Sequence, residues 1–433
     1  MLRVAYLTIF LFVNIVSYKL DNDDITEIPN SMSRGRFFPL FSVIRFANSQ
    51  CLASNNLNGT CFTRRECRNY GGIPSGSCAN GHGICCVFQK TCGSTTNVNN
   101  TYFTNPEYPT TYERQGRCTI TVQRCNSNIC QLRLDFLEFN LAPPNSSGIC
   151  DLDLLLVSSS GSRIPRICGE NANQHVYVDF NDDTPIMISI DTNTGYPTDR
   201  RWNIRIQQLP CDATYKAPNG CLQYYDSVTG TVTSFNYGTT QNPREPPIGT
   251  RQIANTNYGV CVRMAQGYCA IEWSQTNSNS FTVSGDTSAF DSTLIGTQYA
   301  AEQGINCTKD FVIIPHPFQN GVAVGTERFC GNGFITKTCK YIFTISIIFF
   351  LTKHKILNID NLHSSVSVYN VSHIYMHKIY IYICALYDSI IIASFILAFS
   401  KPFVLYVVTD GDEVGEVENK GFSLMYRQLP CVA

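Results

Sequence analysis

The stretch that decides the fold runs from Cys92 to Cys211. It opens CGSTTNVNNTYFTNPEYPTTYERQGRC, continues through QLRLDFLEFNL, CDLDLLLV and ICGEN, and closes on RWNIRIQQLPC. Apolar and polar residues alternate in short runs that are broken by Gly, Pro, Asn and Asp. This pattern is typical of antiparallel strands with one buried and one solvated face. The stretch therefore predicts an antiparallel β-sandwich.

The end of this stretch recurs near the C-terminus. WNIRIQQLPC at residues 202–211 is matched by FSLMYRQLPC at residues 422–431. Two further motifs recur in the same order. Cys150-x-x-Asp153 is matched by Cys307-x-x-Asp310, and Cys168-Gly169 is matched by Cys330-Gly331. Internal repetition indicates a duplicated structural unit. We expect two tandem sandwiches, over residues 92–211 and 212–433, with the second similarity beginning near Cys221.

The order of elements in the first copy resembles a CUB domain. The Asn-Pro-Glu-Tyr-Pro segment, the second cysteine 26 residues after Cys92, the FLEFNL strand, the Cys-x-x-Asp and the later Cys-Gly carry this resemblance. It covers about 120 residues well and the following copy more weakly. The resemblance implies an all-β fold of two CUB-type sandwiches. It also implies two disulfides in the first copy and a repeated one in the second, namely Cys92–Cys118, Cys150–Cys168 and Cys307–Cys330.

Composition and cysteine usage indicate a secreted protein. Only 15% of residues are charged and the net charge is −1, so nucleic-acid binding is not expected. Twenty-one cysteines fit an oxidising compartment. Residues 1–17 carry Arg3 before a short apolar run and predict a signal peptide, and residues 18–50 predict a linker. N-glycosylation sequons lie at Asn58, Asn99, Asn145 and Asn306.

Residues 51–90 contain a short cysteine-dense segment. Such a segment buries too little apolar surface to offset chain entropy, so we expect three internal disulfides. The six cysteines end in an adjacent pair, which resembles the clip domain of arthropod proteases. Six cysteines allow 15 connectivities, and a zinc site is the alternative reading. They are Cys51, Cys61, Cys67, Cys78, Cys85 and Cys86.

The remaining cysteines are predicted less fully. Cys125–Cys130 and Cys261–Cys269 are each separated by a short turn-forming segment, which predicts a disulfide at a hairpin tip. Cys211, Cys221, Cys339 and Cys431 are left with open pairing.

Residues 341–400 differ from the rest of the chain. They contain no Gly, Pro, Glu, Gln, Arg or Trp, and their only cysteine is Cys384. Without Cys384 the number of cysteines in the chain is even, so all of them can pair. Without the 60 residues of the segment, the interval from Cys330 to Cys431 is nearly as long as that from Cys168 to Cys211. We interpret the segment as a translated retained intron. A transmembrane helix over residues 379–399 is one alternative, although Asp388 lies at its centre, and a genuine loop insertion is another.

We find no catalytic constellation in the sequence. His82, His175 and His316 are isolated outside the inserted segment, and no Ser-His-Asp arrangement, zinc-binding His-Glu-x-x-His or phosphate-binding glycine loop occurs. We therefore expect a protein that is not an enzyme.

The CUB resemblance implies a candidate calcium site, because many CUB domains bind Ca²⁺ through three acidic side chains. In the first copy Asp153 and Asp191 match two of these acids, but Ala142 lies where the third is expected. Asp310 and Asp410 match in the second copy, with Asp286 as a loosely aligned third acid. The alternative is that these aspartates cap turns or face solvent. We expect weak or absent Ca²⁺ binding in the first copy, and no required cofactor.

As a whole the chain resembles secreted arthropod proteins with a clip-like module and two CUB domains. We expect an extracellular binding or scaffolding protein that engages another protein through sandwich loops, with no nucleic-acid partner and no membrane anchor. Three classes stay open: an accessory factor of a proteolytic or immune cascade, a matrix component, and a membrane-tethered receptor if residues 379–399 form a genuine span.

Overall fold

The computed structural model describes residues 48–246, 249–284, 292–297, 299–319, 322–323, 325–334, 338–341, 403–411, 413 and 419–431. The predicted signal peptide, nearly all of the linker, Asp286 and the segment 342–402 with Cys384 lie outside these residues. The chain divides into two compact units. Unit 1 comprises residues 1–141, 152–163 and 171–216, and unit 2 comprises residues 142–151, 164–170 and 217–433.

Unit 1 begins with the cysteine-rich module, residues 50–90. Its helix α1 (Arg64–Asn69) is capped by Thr63, and a 3₁₀ turn covers Ala79–Gly81. Its strands are β1 (Gln50–Leu52), β2 (Asn58–Phe62), β3 (Ile73–Cys78) and β4 (Gly83–Lys90). The later strands of unit 1 are β5 (Ser94–Thr96), β6 (Thr101–Thr104), β7 (Gly116–Val122), β8 (Ile129–Asn140), β9 (Leu154–Ser158), β10 (His175–Asp179), β11 (Ile186–Thr192) and β12 (Arg201–Pro210).

These strands form two sheets, as the alternating sequence predicts. One sheet has the order β1-β2-β4-β6-β12-β8-β10, with β3 also paired to β4, and the other has the order β5-β7-β11-β9. Trp202, Phe136 and Ile120 are fully buried, so apolar residues of both sheets supply the core. The all-β sandwich fold is thereby confirmed for the first copy.

The cysteine-rich module shares a sheet with the sandwich and does not form a separate domain. Strand β4 pairs in parallel with β6. The Tyr102 hydroxyl on β6 accepts a hydrogen bond from the Asn58 backbone N–H at 2.9 Å and donates one to the Asn58 carbonyl at 3.0 Å. Tyr102 also packs with Ala53, Cys85 and Val87. The module therefore extends the sheet of unit 1 and shares part of its core, which the cysteine pattern alone did not predict.

Unit 2 is built in the same way. One sheet has the order β13-β15-β24-β19-β22-β18, and the other has the order β14-β25-β16-β23-β20-β21 with β17 paired to β25. Two 3₁₀ turns cover Ser292–Leu294 and Gly304–Asn306. The strands are, in chain order, β13 (Cys221–Tyr225), β14 (Thr229–Thr233), β15 (Asn257–Val262), β16 (Tyr268–Gln275), β17 (Phe281–Thr282), β18 (Ala301–Gln303), β19 (Phe311–Ile313), β20 (Pro317–Gln319), β21 (Val322–Ala323), β22 (Arg328–Gly331), β23 (Thr338–Tyr341), β24 (Phe403–Val408) and β25 (Gly421–Pro430).

The disulfides repeat between the two copies. In each copy the first bond joins neighbouring parallel strands or their flanks, the second closes the end of the long strand pair, and the third spans the Cys-x-x-Asp loop. The bonds of the first copy are Cys92–Cys118, Cys130–Cys211 and Cys150–Cys168, and those of the second are Cys221–Cys261, Cys269–Cys431 and Cys307–Cys330. The module contains three internal bonds, Cys51–Cys85, Cys61–Cys78 and Cys67–Cys86.

Both predicted hairpin-tip disulfides are wrong in this structure. The register of β8 against β12 places Ile129 opposite Pro210, so Cys130 lies next to Cys211 instead of bonding Cys125. Likewise β16 pairs with β25, which brings Cys269 to Cys431, and Cys261 bonds Cys221. Short spacing along the chain favoured local pairs, whereas strand pairing brings distant cysteines together. Cys125 is a free, exposed cysteine.

Candidate functional site

The Cys-x-x-Asp motif places a buried carboxylate at one end of unit 1. Asp153 immediately precedes strand β9, and the neighbouring strand β11 ends at Thr192. The side chain of Asp153 is fully buried, and its Oδ1 accepts a hydrogen bond from the backbone N–H of Asn193 at 2.9 Å. This contact ties the motif to the start of the loop that leads into β12.

A buried arginine neutralises that carboxylate. The Nε of Arg200 donates to Asp153 Oδ2 at 2.6 Å, and the Arg200 side chain is only 4% exposed. Its Nη2 also donates to the carbonyl oxygens of Asn193 and Tyr196, the latter at 3.0 Å. One guanidinium therefore binds a carboxylate and two backbone carbonyls. Because it contacts both ends and the middle of the loop 193–200, it fixes the loop from inside.

The second candidate acid of the first copy is also paired with an arginine. Arg117 binds Asp191 through two parallel hydrogen bonds of 2.7 Å each. The hydrogen bonds to Asp191 raise the pKa of Arg117. Both carboxylates that the sequence proposed as calcium ligands thus contact guanidinium groups, and a metal ion would have to displace these to bind there. Ala142, the position of the missing third acid, is a buried residue of unit 2.

In the second copy the strand register revises the alignment of the candidate acids. Asp191 is opposite Leu154 in unit 1, and Val408 is opposite Phe311 in unit 2. Counting from these pairs, Asp410 corresponds to Asn193 and not to Asp191. The hydrogen bonds agree, because Asp310 Oδ1 accepts from the Asp410 backbone N–H at 2.7 Å, just as Asp153 accepts from Asn193. The sequence alignment of Asp410 with Asp191 was therefore wrong by two residues.

The potential metal ligands of the described residues do not form a cluster. No group of three or more His, Cys, Asp and Glu residues there is arranged to hold a metal ion. His82 and His316 are exposed, and His316 lies near Glu327, whereas His175 is buried with its ring against Tyr177.

The loops around Arg200 form a polar surface that sequence reasoning did not single out. We call residues 105–114, 138–140 and 193–201 the loop-end surface. Hydrogen bonds join these segments: the Tyr112 N–H donates to the Arg200 carbonyl at 2.8 Å, and Asn140 Nδ2 donates to the Asp199 carbonyl at 2.9 Å. The Tyr112 ring packs against Trp202 with ring centroids 5.4 Å apart. The only signal in the sequence was the Asn-Pro-Glu-Tyr-Pro segment, which lies within this surface.

A charged cluster lies on the loop-end surface. The Tyr108 hydroxyl donates a hydrogen bond to Glu138 and accepts one from Asn203 Nδ2 at 3.2 Å. Arg201 forms an ion pair with the same Glu138 at 2.6 Å. Burial raises the pKa of Tyr108, and the hydrogen bond to Glu138 raises it further. The cluster holds an aromatic ring and charged groups in fixed positions at the surface, which suits recognition of another protein.

The four sequons differ in accessibility. Asn306 is exposed in the 3₁₀ turn Gly304–Asn306, and its neighbour Ile305 is 92% exposed. Asn58 is partly exposed, and its side chain accepts from Gln50 at 2.9 Å. The amide oxygen of Asn145 accepts backbone hydrogen bonds within its own turn, whereas that of Asn99 accepts one from Asn100 and one from Gln208 on β12. Glycosylation of these four residues stays a prediction.

Comparison with known families follows from this architecture. A model of the CUB domain matches residues 92–196, and a model of the animal CUB domain matches residues 218–429. No curated protein matches the chain. Within the described residues, no helix combines the length and the apolar character needed to cross a bilayer.

Three solved structures show similarity at low identity. They are the CUB1-EGF-CUB2 domains of rat MASP-1 (12% identity, TM-score 0.23, covering 77% of this chain and 99% of that one), the CUB1-EGF-CUB2 domain of human MASP-1/3 (12%, 0.21, 76% and 98%), and the full extracellular region of zebrafish Gpr126/Adgrg6 (15%, 0.24, 45% and 21%). These TM-scores are too low to support an argument about geometry or function.

The fold and the disulfides show that the chain is an all-β protein of two related, disulfide-bonded sandwiches. The family models then identify both sandwiches. The chain is a CUB-domain protein that carries two CUB domains. CUB domains are generally non-catalytic binding modules, and no catalytic family is indicated for this chain. The domains and the many disulfides fit an extracellular protein.

Proposed function

We propose that this protein is a secreted, non-catalytic binding protein that engages an extracellular protein through the loop-end surface of unit 1. The observation that carries the proposal is the buried Arg200, which binds Asp153 and two loop carbonyls. A loop held in one conformation loses less entropy on binding than a mobile loop does. The exposed acid Glu107 and the partly exposed aromatic ring of Tyr108 supply contacts for a partner.

The loop-end surface is polar, so we propose a protein partner and not a small molecule. Pockets for small ligands are concave and mostly apolar. The loop-end surface instead presents exposed charged residues, among them the ion pair Arg114–Glu107. By resemblance of the cysteine-rich module to clip domains, the favoured biological role is an accessory factor of a proteolytic or immune cascade.

Affinity capture with matched variants tests the proposal. The full chain is immobilised and exposed to haemolymph and, separately, to matrix extract, and captured proteins are compared between wild type and the double variant Glu107→Ala/Asp199→Ala. Asp226→Ala/Glu302→Ala in unit 2 is the control, because it removes the same charge elsewhere. We expect a partner that is captured by wild type and by the control but lost by the loop-end variant.

The source of the captured partner distinguishes the proposed roles. A protease or protease inhibitor from haemolymph would support the cascade role, whereas a partner found only in matrix extract would support a structural role. Identical capture by wild type and the loop-end variant would contradict the assignment of binding to this surface.

A further inference from the structure

Helix α1 of the cysteine-rich module carries three arginines on one side. At 3.6 residues per turn, Arg64, Arg65 and Arg68 fall within an arc of about 100° around the helix axis. All three are exposed. Cys67 lies outside this arc, where it is fully buried and bonded to Cys86. The disulfide fixes the rotation of the helix and thereby the direction in which the arginines point.

Among the described residues, no acid forms an ion pair with these arginines. The neighbouring acid, Glu66, is held by the helix cap, since its Oε2 accepts from the Thr63 N–H at 3.0 Å and from the Thr63 hydroxyl at 2.8 Å. Ten other arginines of the described residues form ion pairs with acids. The three on α1 form none there. An acidic chain with a net charge of −1 therefore has a local cationic surface.

The helix end adds a fourth cation and apolar groups. Lys90 Nζ donates to the carbonyl of Tyr70, the C-cap residue of α1, at 3.1 Å. The Tyr70 side chain is 47% exposed and contacts Phe62, and nearby Ile73 is 56% exposed. Exposed tyrosine among arginines is the composition that protein–protein interfaces favour. We call Arg64, Arg65, Arg68, Tyr70 and Lys90 the basic face.

We propose that the basic face is a second binding site, separate from the loop-end surface, and that it binds an acidic segment of another extracellular protein. Guanidinium groups pair with carboxylates through two parallel hydrogen bonds, which gives direction as well as charge complementarity. The exposed Tyr70 and Ile73 favour a peptide with an apolar residue beside its acids. A sulfated polysaccharide would instead be expected to require a longer, purely cationic stripe.

The test uses the full chain and a fluorescent peptide that is rich in Glu and Asp and has one central Phe. Fluorescence anisotropy measures its affinity at physiological ionic strength. For the triple variant Arg64→Glu/Arg65→Glu/Arg68→Glu we expect a loss of about tenfold or more, because three exposed ion pairs are removed and reversed. The control Arg163→Glu/Arg166→Glu/Arg263→Glu has the same net charge and should bind nearly as wild type does.

Further measurements separate the alternatives. Tyr70→Ala should weaken peptide binding without changing its salt dependence, because it removes apolar contact and no charge. Non-reducing peptide mapping verifies that each variant retains the three module disulfides. If the triple variant and its control lost peptide affinity equally, the proposal would be overturned, since peptide binding would then depend on the net charge of the protein alone. Binding of a sulfated heparin-type oligosaccharide with no binding of the acidic peptide would also overturn it.

Discussion

Replacing Arg200 by methionine would leave the Asp153 carboxylate buried without its cation. The side chains of Arg200 and Asp153 are 4% and 0% exposed, so water cannot solvate the carboxylate in place of the arginine. Removing one partner of a buried ion pair typically costs about 3–5 kcal/mol. For a unit of this size, each kcal/mol lowers the melting temperature by about 2–4 °C, so the unit 1 transition should fall by about 6–20 °C.

Differential scanning calorimetry of the full chain measures this shift, and two variants separate its causes. Arg200→Lys keeps the positive charge, but an ammonium group cannot reach the three acceptors with the planar geometry of a guanidinium. We therefore expect an intermediate decrease in the unit 1 melting temperature. The double variant Asp153→Asn/Arg200→Met removes both charges and should recover part of the stability. EDTA should leave the wild-type unit 1 transition unchanged, because the guanidinium and not a metal ion neutralises Asp153. A shift below about 2 °C for Arg200→Met would refute the reasoning.

Three further predictions concern charge, thiol chemistry and activity. Burial alone would raise the pKa of Asp135, but Arg133 and Arg205 outweigh it and lower the pKa. The carboxylate therefore contributes stability above its unfolded pKa of about 3.9 and loses it as the pH falls through its lower folded value. Asp135→Asn should destabilise the protein by about 1.5–3 kcal/mol at pH 7, and urea titrations should show the difference narrowing below about pH 4. Cys125 is exposed as a residue, but partial desolvation of its sulfur raises the pKa of the thiol. Its alkylation by iodoacetamide should therefore be slow at neutral pH and accelerate as the pH rises, and mass spectrometry should locate the label at Cys125. Purified protein should show no labelling by a serine-directed fluorophosphonate, and labelling that is lost on mutation of one serine would contradict the non-enzymatic assignment.

The sequence predicted the architecture where its signals were local or repeated. Alternating strands and the recurring QLPC ending were sufficient for two sandwiches, because side-chain period and repeat spacing can be read along the chain. The pairing of Cys130 with Cys211 could not be predicted in this way, since it depends on the register of β8 against β12. Likewise, the role of Arg200 depends on a loop that folds its side chain back toward Asp153.

The register of the candidate acids illustrates the same limit. Counting back from the recurring QLPC ending aligned Asp410 with Asp191, but the connection between the last two strands is longer in unit 2. In unit 1 β11 ends at Thr192 and β12 begins at Arg201, whereas in unit 2 β24 ends at Val408 and β25 begins at Gly421. Counting residues from the end of a repeat therefore aligns the wrong positions when the intervening loops differ in length. Only the paired strands give the correspondence.

Strand pairing locates the segment 341–400 within unit 2. The strand after this segment, β24, pairs with β15 and β19, whereas the final strand β25 belongs to the other sheet. In unit 1 the corresponding strands β10 and β11 are separated by residues 180–185, and in unit 2 β23 and β24 are separated by residues 342–402.

This difference supports an insertion at a connection that needs only a few residues. Both flanking strands are paired in their sheets, so the second sandwich does not require the intervening chain to form them. Closure of a long loop costs little extra entropy, since that cost grows only logarithmically with length. The apolar runs and the additional Cys384 are larger liabilities, because they favour aggregation and mispairing during oxidative folding.

Deleting residues 341–400 should therefore raise secretion yield and protease resistance of unit 2, with Cys384→Ser in the full-length chain as the control for mispairing alone. Sequencing of the mature transcript gives an independent answer, because a retained intron would be missing from it. If the transcript contains these codons and the full-length chain is secreted as well as the deletion variant, the intron interpretation is wrong. The segment would then be a genuine loop insertion or a membrane span, and protease protection of residues 379–399 in membranes would decide between the two.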